Sequence, residues 1–174
     1  MKKYIFVILS FLFAAHAESV EIDHGYQTLL SESDFSYIKE KFGMKEDLVY
    51  VLAFGYTSCG YTCPIIASKL SYVKSKVGNS IDALFITVDP KIDTEDRLDS
   101  YLSSWGGIRG VRFDDYDDLS KISQVFKNYI FKYSDGEIDH SDIIYVIKGR
   151  VLVFYPNSNP DFIRDDVNFL VGEK

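Results

Sequence analysis

The two cysteines, Cys59 and Cys63, are the residues of this chain best suited to chemistry, because no other thiols are present and they lie four positions apart. Pro64 follows directly and suits the first position of a helix, which predicts that Cys63 caps the helix N-terminus. The positive end of a helix dipole stabilises a thiolate, so we expect a lowered pKa for Cys63.

A structural disulfide between Cys59 and Cys63 is the simplest alternative, since an exported protein with two cysteines usually pairs them. Closing so small a loop stabilises a fold by only about 2 kcal/mol. We therefore expect a working site in which a disulfide is at most one state.

His140 and His24 are the histidines that follow residue 17. If the apolar strand after His140 is antiparallel to the strands before it, His140 faces the cysteine loop. His24 has no such placement argument. Two thiolates and one imidazole form a soft, three-coordinate site that suits Cu(I), whereas zinc would need a fourth ligand.

Apolar patterns predict the elements that position these residues. Nearly continuous apolar runs at Leu48–Phe54 and Ala83–Val88 predict parallel strands covered on both faces, and an apolar helical repeat lies between them. The cysteines then follow the first strand at its carboxyl end, the usual site of open α/β sheets. We also predict helices at Ser33–Phe42, from Asp93 to Trp105, from Leu119 to Tyr129 and at Asp161–Val171, an edge strand at Val111–Phe113 and a hairpin of Ile143–Ile147 with Val151–Phe154. The whole pattern predicts a three-layer α/β fold with a mixed central sheet.

Length and composition indicate one globular domain. The chain has 174 residues, of which 47% are hydrophobic and 26% charged, with a formal net charge of −7. This acidic balance disfavours nucleic-acid binding, which depends on neutralising phosphates with Lys and Arg. The acidic cluster Asp114–Asp118 is interpreted as a solvated helix start and not as a metal site.

The first residues predict export. Two lysines precede an apolar segment at Tyr4–Ala15, and Ala15–Ala17 has the small-x-small form of a signal peptidase site. We therefore predict a signal peptide at 1–17, a loose arm and short helix at 18–47 and the main domain at 48–174. The apolar segment is shorter than the ~20 residues of a membrane span, so a periplasmic protein is favoured over one anchored by an uncleaved N-terminus.

Three ordered motifs resemble the Sco/SenC family. They are the cysteine segment Phe54–Pro64, the segment Phe85–Thr94 with its Val-Asp-Pro, and Asp139–Ser141, and the similarity covers roughly Leu48–Phe154. The resemblance implies a thioredoxin-like copper chaperone that helps to assemble the copper centre of cytochrome c oxidase. It implies Cys59, Cys63 and His140 as copper ligands and Asp89 as a supporting residue.

The chain departs from the family pattern after the first cysteine. Gly60 and Tyr61 stand where the family usually has Pro and often an acid, so copper affinity and the ease of disulfide formation are expected to differ. The N-terminal hairpin usual in the family is hard to recognise in residues 27–45.

A thiol-disulfide oxidoreductase that uses Cys59 and Cys63 is the competing function. Against ordinary thioredoxin chemistry, three residues separate the cysteines instead of two, and no Pro precedes the strand at Ile143. We expect a metallochaperone, whose partner is the copper-site subunit of the oxidase or another copper protein, with reductase activity as the alternative.

Overall fold

The computed structural model describes residues 22–172, and the predicted signal peptide lies outside this range. In chain order the elements are β1 (Tyr26–Leu29), α1 (Glu32–Phe42), β2 (Val49–Gly55), α2 (Thr62–Val77), β3 (Ile81–Thr87), α3 (Glu95–Leu102), β4 (Ile108–Val111), α4 (Tyr116–Val125), β5 (Ile130–Lys132), β6 (Ile138–His140), β7 (Ile143–Lys148), β8 (Val151–Pro156) and α5 (Pro160–Val171). Within 22–172, no helix combines the length and the apolar character that a membrane span requires.

Six strands form one mixed sheet in the order β1-β8-β7-β2-β3-β4. β2, β3 and β4 are parallel, while β7 is antiparallel to β2, and β8 and β1 complete the antiparallel side. Ala53 near the end of β2 pairs with Ile144 near the start of β7. The antiparallel placement on which the interpretation of His140 depended is therefore confirmed.

Every residue of β2 is buried, because the sheet is covered on both faces. Alternate side chains of β2 enter two separate cores. One core contains residues of α2, α3 and α5, and the other contains residues of α1 and α4. The predicted three-layer α/β fold with a mixed sheet is confirmed.

The predicted loose arm is wrong for its last residues, since Tyr26–Leu29 form an edge strand that pairs with β8. The buried carboxylate of Asp166 in α5 fixes the segment before this strand by accepting the backbone N–H groups of Asp23, His24 and Gly25. Four residues with mixed exposure carry little sequence pattern, which explains why the strand was not predicted.

Two further differences concern the region between β3 and β7. The fourth strand covers Ile108–Val111 instead of Val111–Phe113, because its pairing with β3 ends at Val111. The segment that joins α4 to β7 contains a hairpin, β5 with β6, that the sequence did not predict and that forms a separate two-stranded sheet.

Candidate metal centre

The two cysteines lie where β2 ends and α2 begins. The helix starts at Thr62 and its N-cap position is Tyr61, so the prediction that Cys63 is the N-cap is wrong. Cys63 lies in the first turn, and Pro64 is tolerated after it because N–H groups there have no partner within the helix.

Cys59 is partly exposed and receives several hydrogen bonds at sulfur. Its Sγ lies 3.3 Å from Oγ1 of Thr62 and accepts the backbone N–H of Cys63 at 3.4 Å. Burial acts to raise the pKa of Cys59, but these hydrogen bonds outweigh it and lower the pKa to about 7. The thiolate that the sequence placed at Cys63 is therefore favoured at Cys59.

Cys63 is fully buried, and its environment disfavours the charged form. Burial is the main reason that the pKa of the Cys63 thiol is raised, and the neighbouring Cys59 raises it further. The expectation of a lowered pKa at Cys63 is wrong, because burial outweighs the helix N-terminus.

His140 ends β6 and reaches Cys63, with Nε2 3.5 Å from Sγ. Its Nδ1 lies 3.2 Å from the backbone carbonyl of Ser141, which can only accept, so the ring proton is on Nδ1 and Nε2 is left with its lone pair. Burial lowers the pKa of His140, which favours the neutral ring that binds metals. The ring of Tyr56 meets the imidazole edge-on at 6.1 Å.

Sequence reasoning missed Asp93, a fully buried carboxylate that holds the cysteine loop. It accepts the backbone N–H of Thr57 at 3.0 Å and the hydroxyls of Thr57 and Thr87 at 2.5 and 2.6 Å. Arg97 contacts the same loop by donating to the hydroxyls of Thr57 and Ser58. Polar residues at the carboxyl ends of both parallel strands were the signal available in the sequence.

Asp89, the supporting residue implied by the family resemblance, does not contact the cysteines through any hydrogen bond among the described residues. Its side chain is nearly buried and forms an ion pair with Lys132 of β5 at 3.0 Å. Asp89 therefore connects the end of β3 to the hairpin that carries His140.

A cavity of about 670 Å³ opens between the cysteine loop and the β5–β6 hairpin. Its lining includes Cys59, Tyr61 and His140. Cys63 is the neighbour of both Cys59 and His140, but within 22–172 no three His, Cys, Asp or Glu side chains are already close enough together to hold one metal ion. A three-coordinate site thus requires movement of the loop or the hairpin.

The other candidate residues lie apart from this centre. His24 stacks on Phe162 of α5, with ring centroids 4.5 Å apart. In the acidic cluster, Asp115 caps α4 and Asp118 pairs with Lys41. These contacts agree with a structural role for His24 and for the cluster.

The residues that depart from the family pattern face solvent. A side chain at Gly60 would meet nothing within 4 Å, and Tyr61 is 78% exposed. Packing therefore does not dictate which residues stand at these two positions.

Comparison with known proteins gives a consistent result. The family model described as SCO1/SenC matches residues 41–170. Protein sco1 of Schizosaccharomyces pombe is 30% identical over 155 residues, which cover 80% of this chain and 54% of that protein. The SCO2-like protein RC0895 of Rickettsia conorii is 28% identical over 168 residues, which cover 87% of this chain and 80% of that protein.

The fold is similar to that of solved relatives. The structure of Bradyrhizobium japonicum ScoI with copper bound has a TM-score of 0.63 and 25% identity, and the match covers 88% of this chain and all of that one. The chain spans about half the length of the Schizosaccharomyces pombe relative. The matched family model covers most of the chain, and the protein, with its thioredoxin-like fold, belongs to the SCO1/SenC family.

Proposed function

We propose that this protein binds one copper ion through Cys59, Cys63 and His140 and delivers it to, or prepares, the copper site of cytochrome c oxidase. The observation that carries the proposal is the contact of 3.5 Å between Sγ of Cys63 and Nε2 of His140, with Cys59 beside Cys63. Residues 77 positions apart in sequence meet here.

The donor set fits copper better than a hard cation. Two sulfurs and a neutral imidazole are soft or borderline ligands, and three of them suit Cu(I). The fixed Nδ1 proton of His140 directs Nε2 toward the sulfur, as expected for a metal-binding histidine held by a backbone carbonyl. Copper is the cargo in this proposal, and the exposed side of the site at Cys59 is where a receiving protein would approach.

The family supports the same role. A copper-bound structure is known for the ScoI relative from Bradyrhizobium japonicum, and the Sco family is described as one of cytochrome c oxidase assembly proteins. We extend copper delivery and the oxidase partner to this chain on that basis.

A thiol-disulfide oxidoreductase is the second candidate, and the difference between the cysteines favours it. Cys59 is accessible with its pKa lowered to about 7, whereas Cys63 is buried with a raised pKa. This is the arrangement of an attacking thiolate beside a resolving thiol. Preparing the oxidase site by reducing its cysteines would use the same pair.

Copper titration of reduced and oxidised protein tests the main proposal. Reduced protein should take up one Cu(I) per chain, and the disulfide form should take up none, because metal binding and disulfide formation use the same sulfurs. Ser68→Ala, on the exposed side of α2, is a matched control that should titrate like the wild type. Equal uptake by both redox forms would remove Cys59 and Cys63 from the site.

We also propose that the protein acts in the periplasm after cleavage at residue 17. The support is the short apolar segment and the small-x-small site. N-terminal sequencing of protein from the periplasmic fraction should begin at Glu18. An intact Met1 in the membrane fraction would contradict this and favour an anchored protein.

A further inference from the structure

The β5–β6 hairpin has two faces with different chemistry. Ile138 and His140 point toward the body of the protein, where Ile138 is buried and His140 contacts Cys63. Phe131 and Asp139 are register partners and both are exposed, so they share the opposite face. We call this opposite side the outer face; it comprises Tyr129, Phe131, Tyr133, Glu137 and Asp139.

Three aromatic rings follow one another along the outer face. Tyr129 and Phe131 are stacked with centroids 6.4 Å apart, and Phe131 meets Tyr133 edge-on at 4.8 Å. Their exposed fractions are 55%, 47% and 47%. A row of exposed rings on a two-stranded sheet is unusual for a surface that contacts only water.

The hairpin and the residues that flank it also carry carboxylates without basic partners. Between residues 129 and 142 the acidic side chains are Asp135, Glu137, Asp139 and Asp142, all exposed, and none forms an ion pair with a described Lys or Arg. The one basic residue of the segment, Lys132, is engaged by Asp89 on the other side. Rings and carboxylates together attract cations through cation–π and Coulomb interactions.

The outer face is continuous with the candidate metal centre. Tyr133, Glu137 and Asp139 also line the cavity that contains Cys59 and His140. A chain segment that lies along the aromatic row would therefore reach the cavity mouth.

We propose that the outer face of the β5–β6 hairpin docks a basic segment of the receiving protein, with lysine or arginine beside apolar side chains. This inference rests on the proposed copper transfer, because it explains how a partner is brought to Cys59. The acidic character of the surface and of the whole chain, with its net charge of −7, argues against an anionic membrane or a second copy as the occupant.

An NMR titration of the reduced full-length mature protein tests the proposal. The probe is a synthetic peptide that alternates lysine and leucine, and the matched probe alternates glutamate and leucine. The lysine peptide should shift the amide signals of residues 129–133 and 137–139, and its affinity should fall at least about fivefold when salt rises from about 20 to about 200 mM. Equal shifts with both peptides, or shifts concentrated elsewhere, would overturn the docking surface.

Two double variants measure separately what the rings and the charges contribute to peptide binding. Tyr129→Thr with Phe131→Thr should weaken peptide binding about fivefold while the strand propensity is kept. Glu137→Gln with Asp139→Asn should weaken it by a similar factor and reduce the salt dependence. The controls are Phe169→Thr on the exposed side of α5 and Asp99→Asn on α3, neither of which should change binding.

Further measurements distinguish the other outcomes. The wild type could instead bind phosphatidylglycerol vesicles or self-associate, as seen by sedimentation. If the double variant Tyr129→Thr with Phe131→Thr abolishes either behaviour, the proposal that the outer face docks a partner protein is overturned. Cu(I) uptake is measured in parallel, and that double variant should still take up one ion. Peptide binding at the hairpin by a wild type that takes up no copper would overturn the proposed function and leave the docking surface standing.

Discussion

The cysteine loop and the histidine hairpin contribute to the same candidate centre, but the fold holds them in very different ways. The cysteine loop follows a fully buried central strand, and the buried Asp93 holds it through two hydrogen bonds from Thr57 while a third, from Thr87, fixes Asp93 to the end of β3. The hairpin forms a separate two-stranded sheet with three residues in each strand. Its ties to the body include the Lys132–Asp89 ion pair and the buried Ile138.

This difference indicates which half of the centre can adapt. Opening the cysteine loop would break hydrogen bonds to a buried carboxylate, whereas moving the hairpin would disturb a partly exposed ion pair. We therefore expect the hairpin to make most of the movement that brings His140 and Cys59 onto one ion.

The largest expected effect is that of His140→Ala on Cu(II) affinity. The remaining thiolates can still hold Cu(I) in two-coordinate geometry, but Cu(II) prefers nitrogen and oxygen ligands. Cu(II) affinity should fall at least about 100-fold, and Cu(I) affinity much less. The measurement is a pair of competition titrations, with His24→Ala as the matched control. Unchanged affinity for both ions would remove the hairpin from the metal site and favour the oxidoreductase.

The next largest effect is that of Asp93→Asn, which tests how firmly the cysteine loop is held. An amide places an NH₂ group where a carboxylate oxygen now accepts hydrogen bonds, so the free energy of unfolding should fall by about 2 kcal/mol. Urea denaturation measures this loss, and Asp99→Asn in α3, the helix that follows Asp93, is the exposed control. If Asp93→Asn were as stable as the wild type, the contrast between the two halves would no longer hold.

The rates of thiol alkylation, measured over a series of pH values, distinguish Cys59 from Cys63 in the cysteine loop. With a pKa of about 7, Cys59 should react about fivefold faster at about pH 7 than at about pH 6, and its rate should level off above about pH 8. Cys63 should stay unmodified because it is buried and its pKa is raised. Peptide mapping of the reduced, metal-free protein provides the rates. Thr62→Val should move the Cys59 midpoint upward, and a wild-type midpoint near that of an ordinary thiol would contradict the interpretation.

The smallest effect concerns the tie between the hairpin and β3. Lys132→Met removes the ion pair with Asp89 and keeps the aliphatic stem, so the free energy of unfolding should fall by no more than about 1 kcal/mol. We expect Cu(II) affinity to fall about threefold, because His140 is less well positioned. Lys39→Met, which removes the exposed pair with Glu46, is the control. Asp89→Asn should have the same effect, and the double variant should lose little more.

Long apolar patterns made the central fold predictable. The buried runs of β2 and β3 and the apolar repeat of α2 predicted the βαβ unit, and their order placed Cys59 and Cys63 at the correct edge. The antiparallel β7 then brought His140 near them. Short segments such as β1 and β5 were missed because three or four residues of mixed exposure carry no clear period.

The electrostatics of the centre could not be predicted in the same way. Sequence places both cysteines near a helix N-terminus, but only the structure shows that Cys63 is buried and Cys59 is hydrogen-bonded. The role of Asp93 was equally hidden, since it depends on the distance between two loops that follow different strands.

The short strand β1 has a consequence for the behaviour of the protein in solution. It covers one edge of β8, whose residues Val151–Val153 are buried and apolar. Without this cover, β8 would present unpaired backbone groups beside apolar side chains, which is the combination that promotes strand addition between molecules. The carboxylate of Asp166, which fixes the segment leading into β1, thereby helps to keep β8 covered at the side of the sheet opposite the parallel edge, and we expect its loss to favour association between molecules there.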